Sequence, residues 1–313
     1  MINFKMKYLL HAISAVALLA SLAACGTSTK DINEKNKAIR AEENRKDSLA
    51  LKVATTPTLD CLPVFIAKEK GLFDSLGVDV SVKQMNAHLD GEEALRKNEV
   101  ECAFSDLMRT ERLKRKGIPL EYVTATNAYW QFFLNAKERL TEGKQLGDKM
   151  VAMARYSATD YLATLAIDSM KPSNPVFRIQ VNDVMVRLMM LLNNEMDAVL
   201  LTEPQATTAR LQKHKVAMDS QNKNIWLGVL AARSSRIADD YRQNQMRLFK
   251  QAYDQACDSI TKYGLQHYAS IIKTYCHADD ATVKALPRLA FPHIEAPRQR
   301  DIDRTRNVTW RTN

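Results

Sequence analysis

The sequence has few cysteines and few glycines, and each scarcity excludes a class of site. Only five cysteines occur among 313 residues, and no CxxC pair is present, so neither a zinc site nor a thioredoxin-type redox site is indicated. The nine glycines form no glycine-rich phosphate loop, and the GxSxG and HExxH motifs are also missing. No assembled nucleophile or metal site can therefore be named, and the sequence gives no support to an enzyme.

An apolar run near the N-terminus is too short to cross a bilayer and has the layout of an export signal. Lys5 and Lys7 precede the run from Leu9 to Ala24, which falls short of the ~20 residues that a membrane-spanning helix needs. The closing Leu22-Ala23-Ala24-Cys25 is similar to the bacterial lipobox, in which lipid is attached to the cysteine. We therefore expect residues 1–24 to be a signal peptide and Cys25 to be a lipid anchor. The alternative is an ordinary buried first helix with a chance cysteine.

The next segment is polar, and the far end of the chain is basic. Residues 25–50 mix charges of both signs, which predicts a flexible tether, although a helix from Asn36 to Leu51 is an alternative. The formal net charge is +9, and the residues from Pro287 onward are rich in arginine. Nucleic acid is a common partner of proteins with such an excess of positive charge, but an exported, lipid-tethered protein rarely meets nucleic acid. An anionic membrane surface, or no specific partner, is favoured.

The remaining chain predicts an α/β architecture with more than one lobe. Removal of residues 1–24 leaves about 290 residues, which is more than a single core usually supports. Residues 51–56 read as a strand, and Leu62, Phe65 and Ile66 then recur at helical spacing. Apolar and polar side chains alternate over residues 78–82, which predicts a second strand. A strand, a helix and a strand of this length form a parallel unit, so we predict an α/β sheet.

A segment of seven residues occurs twice in similar form. Residues Leu95 to Glu101 align with residues Leu191 to Asp197. Each copy reads as a helix end, a turn and the start of a strand. Repetition of a supersecondary pattern at this distance indicates two similar α/β units.

Polar residues follow matching strands in the two units. The strands of the two repeats end at Ser105-Asp106 and at Thr202-Glu203. After the first strand of each unit come Thr58-Leu59-Asp60 and Ser157-Ala158-Thr159-Asp160. Open α/β sheets bind ligands at the carboxyl ends of their strands, where helix N-termini present free N–H groups. These residues are therefore candidates for a ligand site.

Several stretches resemble the substrate-binding proteins of bacterial ABC importers of the nitrate, taurine, sulfonate and thiamine-precursor type. The resemblance covers roughly residues 51–209. The stretches that carry it are Pro57-Thr58-Leu59-Asp60 with Pro63, Ala67-Lys68-Glu69-Lys70-Gly71-Leu72-Phe73, Gly77-Val78-Asp79-Val80, Asn98 to Ala103, and Met196 to Pro204.

The resemblance implies a two-lobed periplasmic-binding-protein type II architecture of the α/β class with two hinge crossings. We place the outward crossing near Ala125 to Ala128 and the return within Ala217 to Ser234. Lobe one would then comprise residues 51–126 and 233–313, and lobe two residues 127–232. A long helix from about Asp240 to Tyr263 is expected to pack across lobe one.

The resemblance also implies that ligand contacts come from the first loop of each lobe and from the strand ends that face them. For Asp60 and Asp160 the alternative is helix capping, and for Glu203 it is an acid at a helix start. The candidate ligand-binding residues are Thr56, Thr58, Asp60, Ser105, Asp106, Ser157, Thr159, Asp160 and Glu203.

The candidate set contains four carboxylates, and Arg109 and Arg155 are the only basic residues recognised nearby. Carboxylates in a closed cleft of low dielectric oppose an anion. A neutral or cationic ligand with amine donors is therefore favoured, such as an aminopyrimidine of the thiamine-precursor kind. A sulfonate or nitrate is the alternative.

The expected role is that of an exported solute-binding lipoprotein, which closes on a small molecule and delivers it to an ABC transporter permease. The lipid on Cys25 would hold it at a bacterial membrane, facing the periplasm or the cell exterior. A monomer is expected, with no cofactor, metal or nucleic acid. The alternatives are a sensor lipoprotein that is not coupled to import and an enzyme of the same fold. Disulfides between Cys61 and Cys102 or between Cys257 and Cys276 are permitted in an oxidising compartment.

Overall fold

The structure is a computed structural model, and it describes residues 32–39, 49–140, 142–306, 308 and 310. The chain divides into two compact units, Met1–Leu49 and Ala50–Asn313. The predicted signal peptide and the predicted lipid anchor Cys25 lie outside the described residues. Within the described ranges, no helix combines the length and the apolar character that a bilayer crossing requires.

In the first unit, residues 32–39 form helix α1, and every residue of this helix is exposed. Ile32 and Ile39 are among its exposed side chains. A flexible tether was expected over residues 25–50, but residues 32–39 within it are helical. Lysine, glutamate and alanine are good helix formers, which accounts for the helix. The remainder of the expected tether lies almost entirely outside the described residues.

The second unit contains two five-stranded sheets of the same design. Each has four strands in one direction and one strand antiparallel to both of its neighbours. The first sheet has the order β2–β1–β3–β10–β4 and the second β7–β6–β8–β5–β9. The strands are β1 (Leu51–Thr55), β2 (Val80–Gln84), β3 (Cys102–Asp106), β4 (Leu120–Ala125), β5 (Gln131–Leu134), β6 (Met150–Met153), β7 (Phe177–Gln180), β8 (Ala198–Leu201), β9 (Lys215–Asp219) and β10 (Gly228–Arg233).

Helices cover the sheets, and the expected long helix is present with its predicted bounds. Its apolar residues Met246, Phe249, Tyr253 and Ile260 recur at helical spacing and are buried. The helices are α2 (Leu62–Glu69), α3 (Leu72–Ser75), α4 (His88–Arg96), α5 (Leu107–Arg115), α6 (Ala158–Met170), α7 (Val184–Leu192), α8 (Gln205–Leu211), α9 (Asp240–Tyr263), α10 (Ala269–Cys276), α11 (Asp280–Ala285) and α12 (Gln299–Arg304). The predicted α/β class with two lobes is confirmed.

The chain passes between the sheets twice. It leaves the first sheet after β4 and enters the second at β5, and it returns between β9 and β10. Residues 228–232 were expected in lobe two, but β10 pairs with β3 and β4 in the first sheet. The returning strand fills the gap between these two strands, so the return crossing lies within residues 220–227. The strand that arrives from the other lobe is the antiparallel one in each sheet.

The repeated seven-residue segments adopt the same turn. Asn98 and Asn194 both have positive φ, 62° and 66°, a conformation that asparagine tolerates better than most residues. Their N–H groups donate to Leu95 O and Leu191 O at 3.2 Å in each case. The strands that follow, β3 and β8, each lie beside the first strand of their own sheet. The predicted internal repeat is therefore confirmed.

Apolar contacts join the two lobes. Leu107 and Met108 of α5, in the first lobe, belong to the same buried cluster as Trp130, Phe132 and Leu162 of the second lobe. A separate cluster packs α9 against α2 and the first sheet. The lobes are thus in direct contact.

The C-terminal segment runs beside the crossings. Ala125 N donates to Glu295 O at 2.7 Å, and Arg298 donates to the side chain and carbonyl of Asn224. Arg298 and Arg304 also form ion pairs with Asp301. Part of the basic tail is therefore committed to contacts within the protein.

Cys61, Cys102, Cys257 and Cys276 are buried free thiols. Neither of the permitted disulfides is formed. Burial raises the pKa of all four thiols above its ordinary value. These cysteines behave as small apolar residues of the cores.

Candidate ligand cleft between the lobes

A cavity lies between the two lobes, at the carboxyl ends of the sheet strands. Its empty volume is about 410 Å³, of which about 30 Å³ can hold the centre of a water-sized sphere. A single water needs ~10–15 Å³ by this measure, so the cavity accommodates a group of a few heavy atoms. It is lined by Thr56, Thr58, Asn86, Ala87, His88, Asp106, Arg109, Trp130, Ala154, Ser157, Thr159, Asn182, Val184, Arg187 and Thr202.

Hydroxyl groups from the first loop of each lobe face this cavity. In lobe one, the Thr56 and Thr58 hydroxyls lie 2.9 Å apart. In lobe two, the Ser157 and Thr159 hydroxyls lie 2.8 Å apart, and Ser157 Oγ caps α6 by accepting from Thr159 N. The matching loops predicted from the repeat are therefore brought to one site.

Asp106 and Arg109 form a buried pair at the start of α5. Asp106 caps the helix by accepting from Arg109 N at 3.0 Å, and its Oδ2 lies 3.6 Å from Arg109 Nε. Burial raises the pKa of Asp106, while the Arg109 charge acts to lower it. Arg109 also donates to Glu92 at 2.9 Å. The one carboxylate that lines the cavity is thus matched by an arginine.

Arg187 is a buried cation without a carboxylate partner among the described residues. Its Nε donates to Leu200 O at 2.8 Å, and its Nη1 donates to Val181 O and Asn182 O. Burial lowers its pKa to about 10, so the guanidinium remains charged at neutral pH. Its Nη2 makes no hydrogen bond to the described part of the chain. The Asp183 charge acts to raise this pKa but forms no ion pair with Arg187 within the described residues. Arg187 therefore supplies a positive charge without an ion pair, and free donors, at the cavity.

His88 contributes a second unsatisfied group. It is the first residue of α4, and its Nε2 is buried without a hydrogen-bond partner among the described residues. Burial lowers the pKa of His88 to about 3, and the charges of Arg109 and Arg187 act in the same direction. The imidazole is therefore neutral, and Nε2 can donate or accept according to the tautomer. Because buried polar groups are nearly always hydrogen-bonded, this atom points to a ligand.

Five of the nine predicted ligand-binding residues line the cavity, and four do not. Asp60 accepts from Thr58 Oγ1 at 2.6 Å and from Thr126 Oγ1 at 3.3 Å, and Ser105 lies buried within β3. Neither is among the residues that line this cavity. The five lining residues are Thr56, Thr58, Asp106, Ser157 and Thr159.

The other two predicted acids are held by arginines outside the cavity. Asp160 accepts from Arg178 Nη1 and from Tyr156 N, each at 2.8 Å. Burial raises the pKa of Asp160, although both of these contacts oppose that effect. Glu203 accepts from Arg210 Nη2 at 2.6 Å. It also accepts from the backbone N–H of Thr207 in α8, as expected for an acid at a helix start.

Sequence reasoning missed Arg187 and His88. Arg187 is the only charged residue of α7, and it lies on the buried face with Val184, Leu188 and Leu191. A single charge within an apolar helix was the available signal. His88 is the first residue of an ordinary amphipathic helix and gave no comparable signal. Only the fold places it in the cleft.

Direct contacts across the cleft hold the lobes together. Leu59 N donates to Glu203 O at 2.9 Å, and Gln205 Nε2 donates to Pro57 O at 2.8 Å. The Thr208 and Thr282 hydroxyls lie 2.9 Å apart. The structure therefore represents a closed arrangement of the lobes. Within the part of the chain that is described, no group of three or more potential metal ligands occurs.

The family comparison agrees with the resemblance seen in the sequence. The NMT1/THI5-like family matches residues 58–263, which confirms the suspected relationship. None of the curated proteins matches the chain.

Solved structures with similar folds include binding proteins from several bacteria. A protein from Bordetella bronchiseptica RB50 has a TM-score of 0.69 at 19% identity, over 83% of this chain and 89% of that one. The alkanesulfonate-binding protein SsuA from Xanthomonas axonopodis pv. citri, bound to MOPS, gives 0.66 at 12% identity, over 81% and 88%. The periplasmic nitrate-binding protein NrtA from Synechocystis PCC 6803 gives 0.61 at 16% identity, over 74% and 67%. At these identities the similarity shows the two-lobed fold.

Proposed function

Because the chain belongs to the NMT1/THI5-like family, we propose that it is an extracytoplasmic solute-binding protein that captures a small anion between its lobes and delivers it to an ABC importer. The family and the structural neighbours support the general role of solute binding. The preference for an anion rests on the residues of this cleft.

The unmatched guanidinium of Arg187 is the observation that carries the proposal. Asp106 and Arg109 offset each other, so Arg187 leaves the cavity lining with one excess positive charge. A buried cation is costly when only neutral carbonyl groups face it and no ion pair offsets its charge. An oxyanion would restore both charge balance and hydrogen bonding, and charge-assisted bonds of this kind are among the strongest in proteins.

The sequence-based preference for an amine ligand depended on an incomplete count of charges. Arg178 and Arg210 hold Asp160 and Glu203 away from the cavity, and Arg187 was not counted. With these arginines included, the electrostatic argument favours the alternative of a sulfonate or nitrate over an aminopyrimidine. The cavity accommodates a few heavy atoms, which fits a nitrate ion or the head group of a sulfonate.

Capture follows from donors on both lobes. Thr56 and Thr58 belong to lobe one, whereas Ser157, Thr159 and Arg187 belong to lobe two. An anion bound to both sets contacts more donors in the closed form than in the open form. This difference in affinity shifts the population toward closure.

The export signal and the lipid on Cys25 complete the proposal. The Leu22-Ala23-Ala24-Cys25 sequence supports both. The lipid would hold the binding unit near a permease in the same membrane, facing the periplasm or the cell exterior. Metabolic labelling with a radioactive fatty acid, compared with a Cys25→Ser variant, tests this part. The wild-type chain should be labelled and the variant should not.

The function itself is tested by thermal-shift screening with nitrate, methanesulfonate and 4-aminopyrimidine. A ligand that binds only the folded state raises the melting temperature in proportion to the logarithm of its concentration. We expect at least one anion to raise it and 4-aminopyrimidine to have no effect. Arg187→Gln should abolish the anion response, whereas the exposed control Arg115→Gln should retain it. A shift with 4-aminopyrimidine alone would overturn the anion assignment.

A further inference from the structure

A second cavity adjoins the candidate site. About 490 Å³ of it can hold the centre of a water-sized sphere. Its walls come from both lobes, with Glu92, Arg112 and Lys116 on one side and Arg155 and Tyr156 on the other. Arg109 and Asn182 line both cavities. We call this second cavity the outer pocket.

The outer pocket has an excess of positive charge. The two carboxylate oxygens of Glu92 are taken by Arg109 at 2.9 Å and by Arg112 at 2.5 Å, and Glu93 pairs with Arg96 at 2.6 Å. The side chains of Lys116 and Arg155 make no hydrogen bond or ion pair within the described part of the chain. One belongs to each lobe, so an anion between them would also join the lobes.

A buried N–H group beside the outer pocket is also unsatisfied. The Nε atom of Arg112 is buried and has no hydrogen-bond partner among the described residues. The Nε atom of Arg109 also lacks a hydrogen bond there, but it lies 3.6 Å from Asp106 Oδ2 in an ion pair. The guanidinium of Arg112 lies over the Tyr156 ring, 5.2 Å from its centroid, so this side chain is held across the boundary between the lobes. Buried donors without acceptors are rare in folded proteins and indicate that an acceptor belongs here.

We propose that the outer pocket binds a second anionic group of the solute whose first anionic group occupies the inner cavity. The solute would then be a short organic dianion, such as an α,ω-disulfonate or α,ω-dicarboxylate. This inference rests on the proposed function. The two cavities share Arg109, so two groups linked by a short chain reach both, and the second contact forms at a high effective concentration.

Calorimetric titration with matched pairs of anions tests the inference. Ethanesulfonate is compared with α,ω-disulfonates of two to five carbons, and propionate with the corresponding dicarboxylates. At one chain length we expect the dianion to bind at least about tenfold more tightly than its monoanion. The double variant Lys116→Gln, Arg155→Gln should remove this advantage and leave the affinity for the monoanion within about threefold of the wild type. The exposed control Arg115→Gln should change neither affinity.

The remaining outcomes separate this inference from the proposed function. If monoanions bind but no dianion binds more tightly, or if the advantage survives in the double variant, the inference is overturned and the proposed function stands. A stoichiometry of two monoanions, with the second lost in the double variant, would assign the outer pocket to a separate ion and overturn the single-dianion assignment. If no monoanion or dianion binds at all, both proposals fail.

Discussion

Arg178 Nη1 donates a 2.8 Å hydrogen bond to Oδ1 of Asp160, and each side chain is only 3% exposed. Arg178 comes from β7, and Asp160 lies in the first turn of α6. Arg178 also donates to Thr164 Oγ1 at 2.7 Å. The pair fastens the start of α6 to the edge of the second sheet, and it keeps the Asp160 charge out of the ligand cavity.

Asp160→Ala is expected to destabilise the protein without changing ligand choice. Removal of Asp160 takes away the carboxylate of a buried ion pair, which costs about 3–5 kcal/mol of the free energy of unfolding. Chemical denaturation measures this loss. The double variant Asp160→Leu, Arg178→Met removes both charges and should recover most of the stability. A large loss of anion binding in the folded double variant would instead indicate that Asp160 acts in the ligand site.

The low pKa of His88 predicts a specific loss of stability in acid. An unfolded histidine binds its proton near pH ~6.5, whereas the pKa of folded His88 is lowered to about 3. Between these values the unfolded state binds more protons, so stability that is present above pH ~6.5 falls as the pH falls. Relative to His88→Gln, the wild type should lose roughly 2 kcal/mol by about pH 5.

The acids with raised pKa have the opposite effect on stability, and they are present in both the wild type and the His88→Gln variant. Asp60, Asp106 and Asp160 bind protons more readily in the folded state, so they favour folding as the pH falls. The difference between wild type and His88→Gln therefore isolates the histidine. An equal difference for the exposed control His267→Gln, or no difference for His88→Gln, would contradict the buried, neutral imidazole.

The hydrogen bond from Gln205 to Pro57 O predicts an effect on closure. Gln205→Ala removes a contact that spans the lobes and leaves a carbonyl unpaired, which costs about 1 kcal/mol of the closed form. We expect about a fivefold loss of anion affinity, together with a larger radius of gyration in X-ray scattering without ligand. Gln212→Ala, on the exposed end of the same helix, is the matched control. Equal radii and affinities for both variants would show that this contact does not stabilise closure.

The burial of the four described cysteines predicts how they react with maleimide. Their thiols are buried and have raised pKa values, so little reactive thiolate is accessible. In a Cys25→Ser protein kept without reductant, we expect no rapid maleimide labelling in the native state and four labelled thiols after denaturation. Two labelled thiols after denaturation would instead reveal a disulfide.

Most of the architecture could be predicted from the sequence because local patterns determine it. The repeated turns at Asn98 and Asn194 and the apolar stripe of α9 are local signals, and both were confirmed. The place of β10 was not predictable in this way. Its apolar residues fit either sheet, and only the gap between β3 and β4 decides where it pairs.

The candidate site was less predictable because its charges pair over long distances. Asp160 and Glu203 occupy the predicted strand ends, but Arg178 and Arg210 neutralise them through contacts that only the fold reveals. The hydroxyls of Thr58 and Ser157 were found because they follow matching strands. The sign of the ligand charge depends on Arg187, and its lack of an ion pair among the described residues is a property of the folded chain.

The central claim is that the cleft selects a negative charge. Calorimetric titration with ethanesulfonate and with ethylammonium, which share a carbon skeleton and differ in the sign of their charge, tests it most directly. The account predicts measurable binding of ethanesulfonate that disappears in Arg187→Gln, and no binding of ethylammonium. Binding of ethylammonium with no binding of ethanesulfonate would contradict it.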